Sequence, residues 1–138
     1  MRLVLDTNVV ASGILWGGKP RLLLQAGRER QVLLFSSTAL LAELTDILGR
    51  RKFAPRIAAS ALTVDQLVDR YAVLAALVRP LAVPRIAPDP DDDVVIGTAL
   101  AARAGWIVTG DKALLSLASC RSVRIVGVDD ALKLLGTA

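Results

Sequence analysis

Four short apolar runs in the sequence predict the β-strands of the protein. They cover residues 3–5, 32–35, 106–108 and 123–126. Each run is continuous rather than alternating, which is typical of strands covered by helices on both faces of a sheet. The first run is followed by Asp6, Thr7 and Asn8, after which Val9 and Val10 resume the apolar pattern. This polar break therefore falls just after the first predicted strand.

Helical spacing of apolar residues, together with caps and breakers, predicts the helices between these strands. Residues 36–38 offer N-caps for one helix, and Thr63 with Gln66 has the pattern of a capping box for another. The Asp-rich stretch 91–93 is expected to cap a further helix, which Gly105 would end. The predicted helices cover residues 20–27, 37–49, 63–78, 94–104 and 112–118, and a last short helix follows Asp129.

The order of these elements predicts the fold class. Strand and helix alternate with short connections, which predicts an α/β fold, a three-layer α/β/α sandwich around a mainly parallel sheet of four or five strands. No strand is predicted between the helices at 37–49 and 63–78, so a helical hairpin must be inserted there. Three prolines mark residues 81–91 as an extended crossing segment. With 138 residues and no linker or repeat, the chain is expected to form a single domain over residues 1–138.

The residue types that are missing restrict the chemistry. There is no histidine, which excludes Ser-His-Asp hydrolysis, Cys-His nucleophiles and histidine zinc sites. Cys120 is the single cysteine, so an internal disulfide and a cysteine-based metal site are excluded, and we expect a small buried residue there. Any catalysis must therefore use carboxylates, hydroxyls, amines or a bound metal.

Composition also bears on the core and the compartment. The residues are 54% hydrophobic but only 4% aromatic, so aliphatic side chains must fill the core. No apolar run approaches the roughly 18 residues that a membrane span needs. The first apolar run ends at Asp6, too early for the core of a signal peptide. We therefore expect a cytoplasmic protein with no membrane association.

Charge is distributed unevenly along the chain, whose net charge is +4. Between residues 19 and 56 there are eight basic residues and three acidic ones, whereas four aspartates lie within positions 89–93. A basic region beside an acidic cluster suits a polyanion that is held by its phosphates and presented to metal-bound carboxylates. The alternative interpretation is a solvated surface with scattered arginines.

Several acidic residues are expected at one edge of the sheet. Sheets of this type bind ligands outside the carboxyl ends of their strands, where Asp6 follows the first predicted strand and Asp111 follows the third. On the helix after the second strand, Glu43 borders the buried face and Asp46 points to water. Converging carboxylates repel one another, and a hard cation such as Mg²⁺ or Mn²⁺ relieves this repulsion. Taken singly, each acid has a simpler interpretation as a turn former, a helix cap or a boundary glutamate.

Four stretches of the chain form a characteristic set. They are LDTNVV at the amino end, LLAEL after the second strand, DPDDDVVIGTALAARAGWIVTGD, and a final short strand. Their order and spacing resemble those of the PIN-domain ribonucleases, particularly the stand-alone prokaryotic toxin-like members, over nearly the whole chain. The resemblance implies a compact α/β/α sandwich and Mg²⁺- or Mn²⁺-dependent cleavage of RNA. It also implies a cognate antitoxin as partner and a homodimer.

Carried over position by position, the resemblance implies roles for individual residues. The implied catalytic acids are Asp6, Glu43, Asp93 and Asp111, with Asp6, Asp93 and Asp111 as metal ligands and Asp92 as the alternative to Asp93. Asn8 and Thr109 are implied to fix the orientation of the ligating carboxylates. The candidates for holding RNA phosphates are Lys19, Arg21, Arg50, Arg51 and Lys52.

Three rival interpretations stay open. A haloacid-dehalogenase-like phosphatase also has Asp after its first strand, but it normally has an acid two residues later, where this chain has Asn8. A catalytically silent RNA-binding or partner-binding module would use the acids only for caps and turns. A nuclease acting on DNA would use the same metal site. No base-reading motif is visible, so the sequence identifies neither the RNA nor the cleavage site.

Overall fold

The sheet is the centre of the fold in the computed structural model, which describes residues 1–83 and 90–136. Its strands are β1 (Arg2–Leu5), β2 (Leu33–Ser36), β3 (Ala75–Leu77), β4 (Trp106–Val108), β5 (Ser119–Cys120) and β6 (Val123–Val126). They lie in the order β3-β2-β1-β4-β6-β5, and every neighbouring pair is parallel except β5 with β6. The mainly parallel α/β sheet is confirmed, with six strands in the described residues where the sequence predicts four or five.

Eight α-helices are present in the described residues. They are α1 (Thr7–Leu15), α2 (Gly18–Arg28), α3 (Thr38–Leu48), α4 (Ala54–Ala59), α5 (Val64–Leu74), α6 (Pro90–Ala101), α7 (Lys112–Leu115) and α8 (Val128–Leu135), with a 3₁₀ turn at Arg51–Phe53. Two of the predicted caps are confirmed: the Ser37 side chain accepts the N–H of Leu40, and Thr63 forms a capping box with Gln66. Helices α3 to α5 lie between β2 and β3, where the inserted helical hairpin is predicted.

Several element boundaries differ from the prediction. Residues 7–15 form α1, which the sequence pattern does not predict because Val9 and Val10 also suit a strand. Helix α5 ends at Leu74 instead of continuing to 78, because the next three residues pair with β2 as β3. Helix α6 begins at Pro90, so the acids at 91–93 lie inside its first turn rather than before it. At the α5–β3 boundary, pairing with a distant strand therefore overrides the local helical pattern.

Different helices cover the two faces of the sheet. Leu3 and Leu5 of β1 pack in one core with residues of α1, α2, α3, α5 and α8, whereas Val4 packs in a second core with α6. In β4, Val108 belongs to the first core and Ile107 to the second. Both faces of these strands are buried, which explains their continuous apolar sequences. The three-layer α/β/α sandwich is therefore confirmed.

Gly97 allows the segment after β3 to lie directly against α6. The backbone N–H of Leu81 donates to the Gly97 carbonyl at 3.0 Å. A Cβ atom on residue 97 would collide with the carbonyl oxygen of Leu81. Residues 84–89, which include Asp89 and much of the predicted extended segment, lie outside the described residues. The described part of this segment is thus positioned by contact with α6.

Two expectations from composition can be compared with the structure. Cys120 is a buried free cysteine, as predicted. Among the helices of the described ranges, none combines the length and the apolar character that crossing a membrane requires.

Candidate active site

Asp6 and Thr109 lie side by side at the carboxyl edge of the sheet. Strands β1 and β4 are adjacent and parallel, with Leu5 opposite Val108, so the residues that follow them meet at one edge. The backbone N–H of Asp6 donates to the Val108 carbonyl at 2.8 Å and extends this pairing. Strands β2 and β3 lie on one side of β1, and β4, β6 and β5 lie on the other, so the order of the strands reverses at β1. Open parallel sheets bind ligands at such a switch point.

One threonine hydroxyl connects the two predicted acids at this edge. Thr109 Oγ1 donates to Asp6 Oδ2 at 2.7 Å and accepts the backbone N–H of Asp111 at 3.0 Å. Asp6 Oδ1 accepts the N–H of Thr7 at 2.8 Å, and Asp111 Oδ1 accepts the N–H of Ala113 at 3.0 Å. The two aspartates are thus the N-caps of α1 and α7. Their simpler interpretation as caps is correct and is compatible with a chemical role.

The Asp6 carboxylate lies where its charge is disfavoured. Its residue is only 5% exposed, and burial is the main cause that raises the pKa of Asp6 above its usual value of 3.8. Hydrogen bonds from Thr109 and Thr7 lower this pKa, while the charge of Asp111 raises it. A bound cation would favour the charged form. Perturbed carboxyls of this kind are frequent at functional sites.

The side chains of Asp6 and Thr109 are on the face of the sheet that α6 covers. Successive side chains of a strand point to opposite faces. Val4 and Ile107, two residues before Asp6 and Thr109, pack in the core that contains α6. The Asp6–Thr109 contact is therefore on the same side of the sheet as the third predicted acidic motif.

The acidic first turn of α6 extends past the same edge. Helix α6 ends close to the start of β4, so it runs opposite to the strands. Thr98 Oγ1 lies 3.1 Å from the Oγ of Ser37, the residue just beyond β2. Asp92 and Asp93 are more than one helical turn closer to the start of α6 than Thr98 is. Both aspartates are buried, at 7% and 8% exposed. Exposure therefore does not distinguish which of the two is the better ligand.

A further acidic group lies between α3 and α6. Glu43, Asp46 and Asp91 line an open cavity of about 270 Å³ between these helices. Glu43 is half-buried and Asp46 is exposed, as the helical pattern predicts. The cavity brings Glu43 to the start of α6, next in sequence to Asp92 and Asp93. The second and third predicted motifs are thus neighbours in the fold.

Comparison with known protein families assigns the chain to a family. Residues 2–113, about four-fifths of the chain, match the family model of the PIN domain. The chain belongs to the PIN domain family. PIN domains are generally nucleases, and they typically use divalent metals. Neither the curated proteins nor the solved structures gave a match to this PIN domain.

The donor atoms of this PIN domain fit a hard divalent cation. The groups at the edge are carboxylate and hydroxyl oxygens, which Mg²⁺ and Mn²⁺ prefer, and the charge of Asp6 is disfavoured by burial. Within residues 1–83 and 90–136, no group of three or more acidic, histidine or cysteine side chains could hold a metal ion as placed. Asp6 with Asp111 and Glu43 with Asp91 instead form two separate groups. A cation held by these groups would take water molecules as its remaining ligands.

Asn8 has a different position from the other residues of the first motif. It is exposed in the first turn of α1, and in the described part of the chain the Asp6 carboxylate is bonded by Thr7 and Thr109 instead. Thr7 Oγ1 is buried and has no hydrogen-bond partner among the described residues. The sequence pattern does not predict the burial of Thr7, because that burial depends on helix α1.

The basic residues of the PIN domain differ in their contacts. Lys19 forms an exposed ion pair with Asp129 at 2.9 Å, which lowers the pKa of Asp129. The Arg21 guanidinium donates to the carbonyls of Gly13 and Ile14 at the end of α1. The other candidates, Arg50, Arg51 and Lys52, are exposed at the 3₁₀ turn. Lys19 and Arg21 are therefore partly engaged within the protein.

Proposed function

We propose that this PIN domain is a Mg²⁺- or Mn²⁺-dependent endoribonuclease that cleaves RNA phosphodiesters at the carboxyl edge of its sheet. The observation that carries the proposal is the hydrogen-bonded chain from Asp6 through Thr109 to Asp111. This chain lies at the strand switch point and holds a buried carboxylate whose charge needs compensation. Membership of the PIN family supports the same chemistry.

Each acidic group has a defined role in the proposal. The proposed ligands are Asp6, Asp93 or Asp92, Asp111 and, directly or through water, Glu43. When bound, the cation supplies an activated water for in-line attack on phosphorus and stabilises the charge on the leaving oxygen. Thr109 keeps its proton directed at Asp6 Oδ2, which leaves the other lone pairs of that carboxylate for ligation. Asn8 is proposed to support the same carboxylate once RNA is bound.

The proposed substrate contacts are basic. The residues proposed to hold RNA phosphates are Lys19, Arg21, Arg50, Arg51 and Lys52. Their charges would make RNA binding weaken as salt rises. Lys19 would exchange its ion pair with Asp129 for a phosphate, which is feasible because exposed ion pairs contribute little to stability.

The test of the nuclease proposal compares variants made in one preparation series. Wild type, Asp6→Asn and Asp111→Asn are purified in parallel and incubated with single-stranded RNA, with and without EDTA. Asp69→Asn is the matched control, because it removes an exposed carboxylate on α5. We expect cleavage by wild type and by the control only, abolished by EDTA and restored by Mg²⁺ or Mn²⁺. Undiminished cleavage by both site variants would refute the proposal.

A catalytically silent RNA-binding PIN domain is the second candidate. It is favoured by the absence, within the described residues, of an assembled group of three metal-binding side chains. Metal-independent RNA affinity without cleavage, over a panel of RNAs and with DNA for comparison, would support this candidate. Cleavage of DNA but not of RNA would instead identify a deoxyribonuclease.

We also propose that the protein is the toxin of a cytoplasmic toxin–antitoxin pair and acts as a homodimer. The resemblance to stand-alone toxin-like PIN domains supports this role. Induced expression of wild type should arrest growth and produce new RNA ends, whereas Asp6→Asn should not. Co-expression of a small protein encoded next to the gene should restore growth. Normal growth after induction of active wild-type enzyme would contradict the toxin role and leave the nuclease proposal unaffected.

A further inference from the structure

Two of the five aromatic residues of the chain meet at the protein surface. Trp16, which follows α1, is 55% exposed. Its ring meets that of Phe53 in the 3₁₀ turn, with centroids 6.3 Å apart and an angle of 76° between the planes. Tryptophan normally buries most of its large apolar surface. In a chain with so few aromatic residues, this exposed ring suggests a ligand that covers it.

A basic side chain lies over each ring of this pair. The guanidinium carbon of Arg56 lies 4.3 Å from the centroid of the Trp16 ring, and Nζ of Lys52 lies 5.1 Å from that of Phe53. Both basic residues are exposed. Such cation–π contacts hold the cations beside the rings without neutralising their charge. We call Trp16, Phe53, Lys52 and Arg56 the Trp16 platform.

We infer that the Trp16 platform binds single-stranded RNA, with an unpaired base stacked on Trp16 and the flanking phosphates held by Arg56 and Lys52. Aromatic rings and guanidinium planes stack on unpaired bases in proteins that bind single-stranded nucleic acids. A base inside a duplex is already covered by its neighbours and is not available to Trp16. The inference rests on the proposed RNA substrate and adds to it a base-binding site outside the acidic edge.

Charge favours RNA over a protein as the occupant. The exposed basic residues Arg50, Arg51, Lys52 and Arg56 lie in or beside the 3₁₀ turn and in α4, and residues 50–59 include no acidic residue. A second copy of the chain, seated on this surface by two-fold symmetry, would bring like charges together. RNA phosphates would instead neutralise them and release counterions.

The position of the platform relative to the acidic edge fits one continuous strand of RNA. Asp6 immediately precedes α1 and Trp16 immediately follows it. A helix of nine residues is about 14 Å long at 1.5 Å per residue. A base on Trp16 and a phosphodiester at Asp6 would therefore be a few nucleotides apart.

The test measures binding in EDTA, so that it does not depend on cleavage. In a Trp106→Phe background, Trp16 is the remaining tryptophan and reports on its own environment. The probe is a short single-stranded uridine oligonucleotide, compared with duplex RNA and with polyphosphate. We expect the oligonucleotide to quench Trp16 fluorescence. We also expect Trp16→Leu to weaken its binding about tenfold and Trp16→Phe to recover most of that loss.

A charge-matched pair of variants tests the role of Arg56. Arg56→Gln should weaken oligonucleotide binding several-fold, whereas Arg124→Gln should stay within about twofold of wild type. Arg124 is exposed and lies opposite the first residue of β4, at the amino edge of the sheet. Equal effects of the two variants would show that general charge, rather than the platform, binds the RNA.

Other outcomes would also overturn the inference. Unchanged oligonucleotide affinity of a folded Trp16→Leu variant would do so, as would an equal loss of affinity for polyphosphate, which has no bases. A change in oligomeric state alone, with RNA affinity unchanged, would identify the platform as a protein interface. Asp69→Asn, which removes an exposed carboxylate on α5, should bind the oligonucleotide like wild type. If wild type failed to cleave but bound RNA through Trp16, the nuclease proposal would fail and this inference would stand.

Discussion

Replacing Asp6 by asparagine separates the stability of the candidate site from its chemistry. Asparagine has nearly the same size and is an equally good N-cap, so the start of α1 is preserved. Its side-chain oxygen can still accept a hydrogen bond from Thr109 or Thr7. The substitution removes a buried charge that is disfavoured by desolvation and by Asp111. We therefore expect Asp6→Asn to be more stable than wild type in metal-free buffer at pH 7, although it has lost cleavage.

The expected gain in the free energy of unfolding is on the order of 1 kcal/mol, the size typical of single stabilising substitutions. In a domain of 138 residues this corresponds to a Tm about 3–5 °C higher. The size of this gain depends on pH. The pKa of folded Asp6 lies above the 3.8 of the unfolded chain, so wild type loses stability as pH rises from 3.8 through the folded pKa. The advantage of the variant should be complete at neutral pH and should disappear as the pH falls well below 3.8, because Asp6 then becomes protonated in both states.

Bound metal is expected to reverse the order of stability of wild type and Asp6→Asn. A ligand that binds only the folded state, at 100 times its Kd, stabilises a protein by about 2.7 kcal/mol. Wild type in Mg²⁺ should therefore become more stable than Asp6→Asn, which lacks a proposed ligand. Thermal and urea unfolding in EDTA and in MgCl₂, from pH 3.5 to 8, would measure both effects, with Asp69→Asn as control. Lower stability of Asp6→Asn than wild type at every pH in EDTA would refute the electrostatic reasoning. Equal stabilisation of both proteins by Mg²⁺ would refute metal ligation by Asp6.

Three further predictions concern the hydroxyl bridge, the pH dependence and the packing of α6. Thr109→Val and Thr98→Val each remove a fully buried hydroxyl, so each should lower the free energy of unfolding by about 1–3 kcal/mol. Only Thr109→Val should also reduce cleavage, by about 10- to 100-fold. A fall in activity of the same size in both variants would show a general effect of stability. Mg²⁺ affinity, measured by titration, should weaken on acidification at a higher pH than for an ordinary aspartate, because the raised pKa of Asp6 lets protons compete earlier. Gly97→Ala should destabilise the fold by about 1–3 kcal/mol, since its Cβ would collide with the Leu81 carbonyl, and unchanged urea midpoints would contradict this contact.

Local pattern was sufficient for the framework of the fold. The continuous apolar runs of β1 and β4 identify strands buried on both faces, and the capping box at Thr63 and Gln66 marks the start of α5. Strand, helix and cap signals depend on neighbouring residues, so they can be recognised along the chain. The order of parallel strands also predicted that Asp6 and Asp111 follow strands at one edge, which the structure bears out.

Contacts between residues far apart in the sequence determined the features that local pattern did not predict. Residues 75–77 fit a helix or a strand by pattern, and their pairing with β2 selects the strand β3. The hydrogen bond from Thr109 to Asp6 joins residues 103 positions apart, and the Trp16–Phe53 pair likewise joins separate elements. Such pairings depend on how whole elements pack, because a side chain acquires its burial and its partners only when the layers come together. The amino-acid pattern therefore supplied the elements and the acidic residues, and their packing supplied the environment that raises the pKa of Asp6.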